Sequence, residues 1–266
     1  ITKKLADEMS KDNLVKMFAT EEKFRDGDTI QFITQRGGKA YVHTPGSAAP
    51  RMTILNRVQT LEAELVSAMM EFELDQLTSG RYGSVNDIRG FAREALLSRK
   101  YKLVWDTMRG SVTSTDGGYR ASYGAQTAAN KKVALDAVID YVEDQPGGPM
   151  AIVGRRTDLN WLMDFTSIAY GDPTKERIVR TGKFPFYRGL PVVPLNSYRD
   201  IYNVDMITSG TVMVVNNSTT KLGVVRGLEV LDGVNVAERI WEVHYSEKYG
   251  AGVFFPERNG ALVFTG

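Results

Sequence analysis

The chain has 266 residues, a formal net charge of +1, no cysteine and two histidines, and 42% of its residues are hydrophobic and 24% charged. That length can bury a sizeable core in one large domain or two smaller ones. The absence of thiols excludes disulfides, thiolate metal sites and a cysteine nucleophile, two histidines argue against a multi-histidine zinc site, and the near-neutral balance argues against a protein whose main task is gripping nucleic acid.

No apolar run approaches the length of a membrane span. Residues 1–27 are mixed and highly charged, with Leu5, Met9, Leu14, Met17 and Phe18 at patchy helical spacing. They read as an arm with a short helix, or as an ordinary N-terminal helix. Residues 28–35 (DTIQFITQ) alternate apolar and polar, as a half-exposed strand does. Residues 36–51 hold two adjacent glycines and two prolines and read as a long loop. Over residues 52–72 strand and helix readings compete, because Glu, Ala, Leu and Met are good helix formers. A strand is favoured for the first half, so that residues 28–70 form an extended two-stranded arm.

A long helix is expected over 84–109. Ser84 is placed to cap it, Asp87 complements its positive end, and Ile88, Phe91, Ala92, Ala95, Leu96, Leu103 and Val104 recur at helical spacing. Gly110 is placed to end it. Such a helix spans roughly 37 Å. After a Ser/Thr/Gly-rich loop at 111–126, Thr127 is placed to cap a second helix with Val133, Ala134, Ala137, Val138 and Tyr141 in one stripe. Residues 150–154 (MAIVG) read as a buried strand, and Thr157 or Asp158 as the cap of a third helix. Residues 190–196 (LPVVPLN) read as an edge strand, because proline interrupts them. From 211 onward the chain is a series of β-type runs.

Chemistry is sparse along this chain. No GxGxxG, Walker, GxSxG or HExxH motif occurs, and the glycine turns at 36–38 and 80–83 do not match a phosphate cradle. Asp158 and Asp164 lie six apart and so share no helical face; Asp172 follows in a loop. The capping role of Asp158 outweighs an acid–base role. His244 lies on the face of residues 241–246 opposite Trp241, Val243 and Tyr245, and no nucleophile accompanies it. His43 lies in the long loop. Arg155 and Arg156 read as solvated charge or a salt bridge between subunits, with an anion contact as the sharper reading. Lys3, Lys4 and Lys11 are offset by Asp7, Glu8 and Asp12. No catalytic, cofactor-binding or metal residue is assigned, and no cofactor is expected.

The order of these elements resembles the major capsid proteins of tailed bacteriophages, the Hong Kong 97-like fold. Residues 149–165 (PMAIVGRRTDLNWLMDF), 182–197 (GKFPFYRGLPVVPLNS) and 247–264 (EKYGAGVFFPERNGALVF) carry the likeness, through their shared order more than through any one motif. The resemblance implies an α+β protein with an N-terminal arm at 1–27, an extended loop and flanking strands at 28–70, and a peripheral domain at 71–121 with its spine helix at 84–109. An axial domain at 122–222 follows, then return strands of the peripheral domain at 223–266. It implies a coat protein, not an enzyme, whose partners are copies of itself in pentamers and hexamers around double-stranded DNA, which it touches weakly and without sequence preference. Scaffolding, portal and decoration proteins are further partners of such a chain, a membrane is not, and it is assembled in the host bacterial cytoplasm and resides in the virion. Some members cross-link a loop lysine to a neighbour's asparagine; Lys39 with Asn216 or Asn217 are the nearest candidates here. Two rival readings remain: an encapsulin-type nanocompartment shell that packages a cargo enzyme, and a soluble hydrolase using His244 with an aspartate.

Overall fold

The computed structural model describes residues 14–36, 55–75, 85–113, 119–123, 128–164, 171, 176, 184–195, 207–216 and 219–264. A 3₁₀ turn at Leu14–Met17 precedes β1 (Thr20–Lys23), and β2 (Ile30–Arg36) and β3 (Leu55–Leu61) then pair antiparallel as a two-stranded sheet. β4 (Glu64–Glu73) follows after two residues and is a strand along its length, which settles the competition between strand and helix. Its burial alternates, with Val66, Ala68 and Met70 toward the core and Leu65, Ser67 and Met69 outward. β4 belongs to a different sheet from β3, so the two-stranded arm ends at Leu61 and not at residue 70.

The long helix, α1, spans Val85–Thr113, about 43 Å. It runs through Gly110 because Met108 and Val112 are buried on either side of that glycine, and their packing outweighs a helix-interior cost of about 1 kcal/mol. Its buried apolar positions are Ala92, Leu96, Leu97, Tyr101, Val104, Trp105, Met108 and Val112, whereas Phe91 and Ala95 of the expected stripe are exposed. β5 (Tyr119–Tyr123) leads to α2 (Ala128–Glu143), whose buried face is Ala134, Leu135, Val138, Ile139 and Val142. That face is turned from the expected one, and Val133 and Ala137 point outward. The face chosen puts Leu135 and Ile139 where the expected one put Val133 and Ala137.

β6 (Pro149–Arg155), β7 (Phe186–Tyr187), β8 (Leu190–Leu195), β9 (Thr211–Asn216), β10 (Thr220–Asn235), β11 (Ile240–Val253) and β12 (Gly260–Phe264) complete the chain. One sheet has the order β1-β10-β11-β4, and the other β5-β12-β9-β6-β8-β7. β8 is therefore not an edge strand. The Val192 N–H donates toward β7, at the Pro185 carbonyl. Pro194, two residues on, turns its missing donor to the same side, beyond the two residues that β7 covers. Segment 223–266 also divides: β10 and β11 form the four-stranded sheet with β4, while β12 crosses into the six-stranded one between β5 and β9.

β9 is buried at every residue, because the six-stranded sheet is covered on both faces. Val212, Val214, Ile152 and Leu262 face α2. Val153, Met213, Val215 and Ala261 share a core with α1 and with Val243, Tyr245 and Tyr249 of β11. Two of the crossings between sheets, β9 to β10 and β11 to β12, meet at Asn259. Its Oδ1 accepts from the Asn216 N–H at 3.0 Å and from the Thr219 hydroxyl at 2.7 Å, and all three residues are buried.

Candidate assembly surfaces

The arm is fixed by its base. Gly223 of β10 and Gly250 of β11 are cross-strand partners, and Gly252 lies one alternation further along β11. A Cβ on Gly250 would fall 2.4 Å from the Glu62 carbonyl oxygen, one on Gly223 2.6 Å from Ile30 Cγ2, and one on Gly252 2.5 Å from Leu61 Cδ2. The three glycines form a bare pad on which the arm base lies closer than any side chain would permit. Ile30, Phe32 and Leu61 are buried there with Val225 and Phe254. Phe32 stands edge-on to both Phe24 and Phe254 at 5.3 Å, and Lys221 Nζ lies 4.7 Å from the Phe32 ring centroid.

Beyond the base the arm has an uncovered apolar face. Ile33 and Val58 are cross-strand partners, 64% and 55% exposed. A two-stranded sheet is marginal in water unless such a face is covered.

A second surface lies at the free edge of β4. Glu64, Leu65, Val66, Ser67 and Ala68 of β4 and Ala95, Leu96 and Arg99 of α1 line a groove of about 390 Å³. Arg99 closes one end by an ion pair to Glu64 at 3.2 Å. Phe91, one turn before Ala95 on the same helical stripe, is 67% exposed, and Leu65 on β4 is 59% exposed. Glu64, Glu71 and Glu73 stand exposed along the strand.

The residues with chemical potential are placed as structure. His244 lies on the outer face of β11, between Met69 and Leu231 in register. Asp158 does not cap the helical turn at Arg156–Leu159: the cap residue is Arg155, without a side-chain hydrogen bond. Its carboxylate accepts instead from the Gly210 N–H at 2.8 Å, and burial holds its pKa above the ordinary aspartate value. Asp164 donates its N–H to the Trp161 carbonyl at 3.1 Å, closing the following 3₁₀ turn. Lys100 of α1 meets Glu247 of β11 at 2.9 Å in a buried ion pair, and beside it burial raises the pKa of the Tyr249 hydroxyl. No cluster of metal-ligating side chains occurs among the described residues, and no described helix is long and apolar enough to cross a membrane.

Asn216 is buried and committed to Asn259 and to the Pro146 carbonyl, so it is not accessible for a cross-link. Lys39, Asn217, His43, Asp172, Lys3, Lys4, Lys11, the glycines of the 36–38 turn and the turn at 80–83 lie outside the described residues. Sequence reading missed the glycine pad, although its signal is present as YGAG at 249–252. It also missed Arg188. That residue has φ +49° in the β7–β8 turn and pairs with Asp140 at 2.6 Å and Glu143 at 3.7 Å, so that its guanidinium is held still more firmly protonated.

No protein-family profile matches the chain, and no curated protein sequence matches it. Solved structures do. A structure of the capsid of the cyanophage P-SCSP1u is similar with a TM-score of 0.72 at 14% identity, over 93% of this chain and 86% of that one. A Gordonia phage Cozz structure is similar with a TM-score of 0.67 at 14% identity, over 96% and 87%. The virus-like particle from Pyrococcus furiosus is similar with a TM-score of 0.63 at 13% identity, over 98% and 96%. The chain has the Hong Kong 97-like fold of tailed-phage capsid structures.

Proposed function

We propose that this chain is a major capsid protein that assembles with copies of itself into a closed icosahedral shell around double-stranded DNA. Its role is mechanical, not catalytic. One observation carries the reading: the β2–β3 arm buries its base on the Gly223–Gly250–Gly252 pad and leaves Ile33 and Val58 to water. A neighbouring copy can cover that face at every position of a closed shell. Contacts with DNA are weak singly and add through valency, in keeping with a net charge of +1. Scaffolding, portal and decoration proteins are the further partners of such a shell, and the virion is its place.

The likeness to the virus-like particle from Pyrococcus furiosus, which spans 96% of that chain, favours an encapsulin-type cargo shell as the second reading. Purification of the protein from its native source separates the two. Electron microscopy of closed particles that protect DNA from nuclease supports the capsid. Closed particles filled with enzyme and free of DNA support the cargo shell. A monomer that never assembles at high concentration refutes both.

A further inference from the structure

We propose that Asn259–Gly260 is a self-modification site that acts on the open chain and is silenced by the fold. In the open chain the Asn259 side-chain amide closes onto the Gly260 nitrogen, and a chain whose main chain is altered in this way cannot rebuild the junction between the sheets.

Of the asparagines in the sequence only Asn259 precedes glycine. The fold itself imposes that pairing. Asparagine is held at 259 by the two hydrogen bonds that its Oδ1 accepts where the sheets cross. Glycine is required at 260, because a Cβ there would fall 2.5 Å from Val138 Cγ1 of α2. The same missing Cβ leaves the Gly260 nitrogen unhindered in an unfolded chain. There it attacks the neighbouring Cγ. The N–Cγ bond forms, the Cγ–Nδ2 bond breaks, and Nδ2 leaves as ammonia with the Gly260 amide proton. Water then opens the succinimide ring. Opening at Cγ gives aspartate, and opening at the main-chain carbonyl carbon gives isoaspartate, whose backbone runs through Cβ and Cγ.

The folded chain withholds each requirement of the attack. Asn259 has φ −89° and ψ 158°, which holds the Gly260 nitrogen out of the plane in which the ring closes. Turning that peptide would break the pairing of Gly260 with Tyr119 and Val214 and drive it against Val138 and Val142. Oδ1 is tied to the Asn216 N–H and the Thr219 hydroxyl, so the amide cannot turn alone. Asn259 is also fully buried, away from the water that opens the ring.

The two products differ in what they leave intact. Asn259 Nδ2 makes no hydrogen bond among the described residues, so the junction uses this side chain as an acceptor alone. Aspartate supplies the same acceptor on an unchanged backbone. Isoaspartate adds a carbon to the main chain just before β12, which lies between β5 and β9 with Ala261 and Leu262 buried. A close-packed central strand has no slack to absorb it.

The full chain is held unassembled in buffer and, in parallel, in guanidinium chloride at the same mildly alkaline pH. Trypsin cuts after Arg258 and so releases a peptide that begins at Asn259. Mass spectrometry is expected to find the amide lost in denaturant, and lost at least about a hundredfold more slowly in buffer. Enzymatic methylation of the free α-carboxyl group identifies the isoaspartyl isomer. On dilution from denaturant, aspartyl chains are expected in the folded fraction and isoaspartyl chains in the aggregate, and the Asn259→Asp variant is expected to fold. Equal rates of amide loss in the two solvents would overturn the silencing. Isoaspartyl chains that fold in the proportion in which they were made would overturn the exclusion, and an Asn259→Asp chain that cannot fold would overturn the acceptor-only junction.

Discussion

Replacing Gly250 with alanine tests how the arm is held. The new Cβ would sit 2.4 Å from the Glu62 carbonyl oxygen and 3.1 Å from Ile30 Cδ1. The first of these is a backbone atom and cannot rotate away. To restore ordinary contact near 3.5 Å, the chain at residue 62 must retreat by about 1 Å, and it lies between β3 and β4. Overpacking of this kind costs about 1–3 kcal/mol, set against a gain of about 0.5–1 kcal/mol from replacing glycine in a strand. The net expectation is a loss of about 1–2 kcal/mol, or roughly 2–4 °C in the melting temperature of a chain of this size. Gly227→Ala is the control, because no heavy atom lies within 4 Å of its Cβ position and its φ is not positive. It is expected to melt at the parental temperature or up to about 2 °C above it. Calorimetry of the unassembled chain reads stability, and sedimentation of the assembly reaction reads whether the arm still reaches its neighbour. Parental stability with normal assembly for Gly250→Ala would refute the pad, since the arm base would then tolerate a side chain beneath it.

The buried Lys100–Glu247 pair yields a second expectation: Lys100→Met alone costs about 3–5 kcal/mol by leaving a buried carboxylate unpaired, whereas Lys100→Met with Glu247→Leu recovers most of the loss. Urea unfolding of both variants checks this, and a harmless single variant would show that the pair is solvated. The third concerns pH. Arg226 hydrogen-bonds the exposed Asp26 carboxylate and holds its pKa below the ordinary value of 3.8. The folded value is depressed, so the contribution is present above pH 3.8 and is lost as pH falls through the folded value. An NMR titration of Asp26 is expected to show a midpoint below 3.8 that rises in Arg226→Gln; a midpoint at or above 3.8 in the parent would sink it.

Local pattern carried the strands and the long helix, but not their partners. Residues 28–35 and 240–245 read correctly as strands because alternation is written residue by residue. The edge reading of β8 failed because proline reports only which donor is missing, not which neighbour stands beside it. The turned face of α2 shows the same gap: Val133 and Leu135 are equally apolar in the sequence, and only the sheet beneath decides which is buried. The crossing of β12 into the six-stranded sheet rests on pairing with Tyr119–Tyr123, far away in the chain, and no local spacing records it. The glycine pad was visible as letters but not as a surface, because its meaning lies in Ile30, Leu61 and Glu62, which come together with it only in three dimensions.

The pairing of β4 with β11 has a consequence for timing. β4 is made early, yet it stays unzipped until Ile240–Val253 has emerged to hold it. A ribosome adding about 5–20 residues per second leaves an interval on the order of ten seconds. Throughout it β4 lacks the strand it pairs with. The side chains that β4 turns inward, Val66, Ala68 and Met70, stay wet for the same interval, so the fold is sealed by nearly the last residues made.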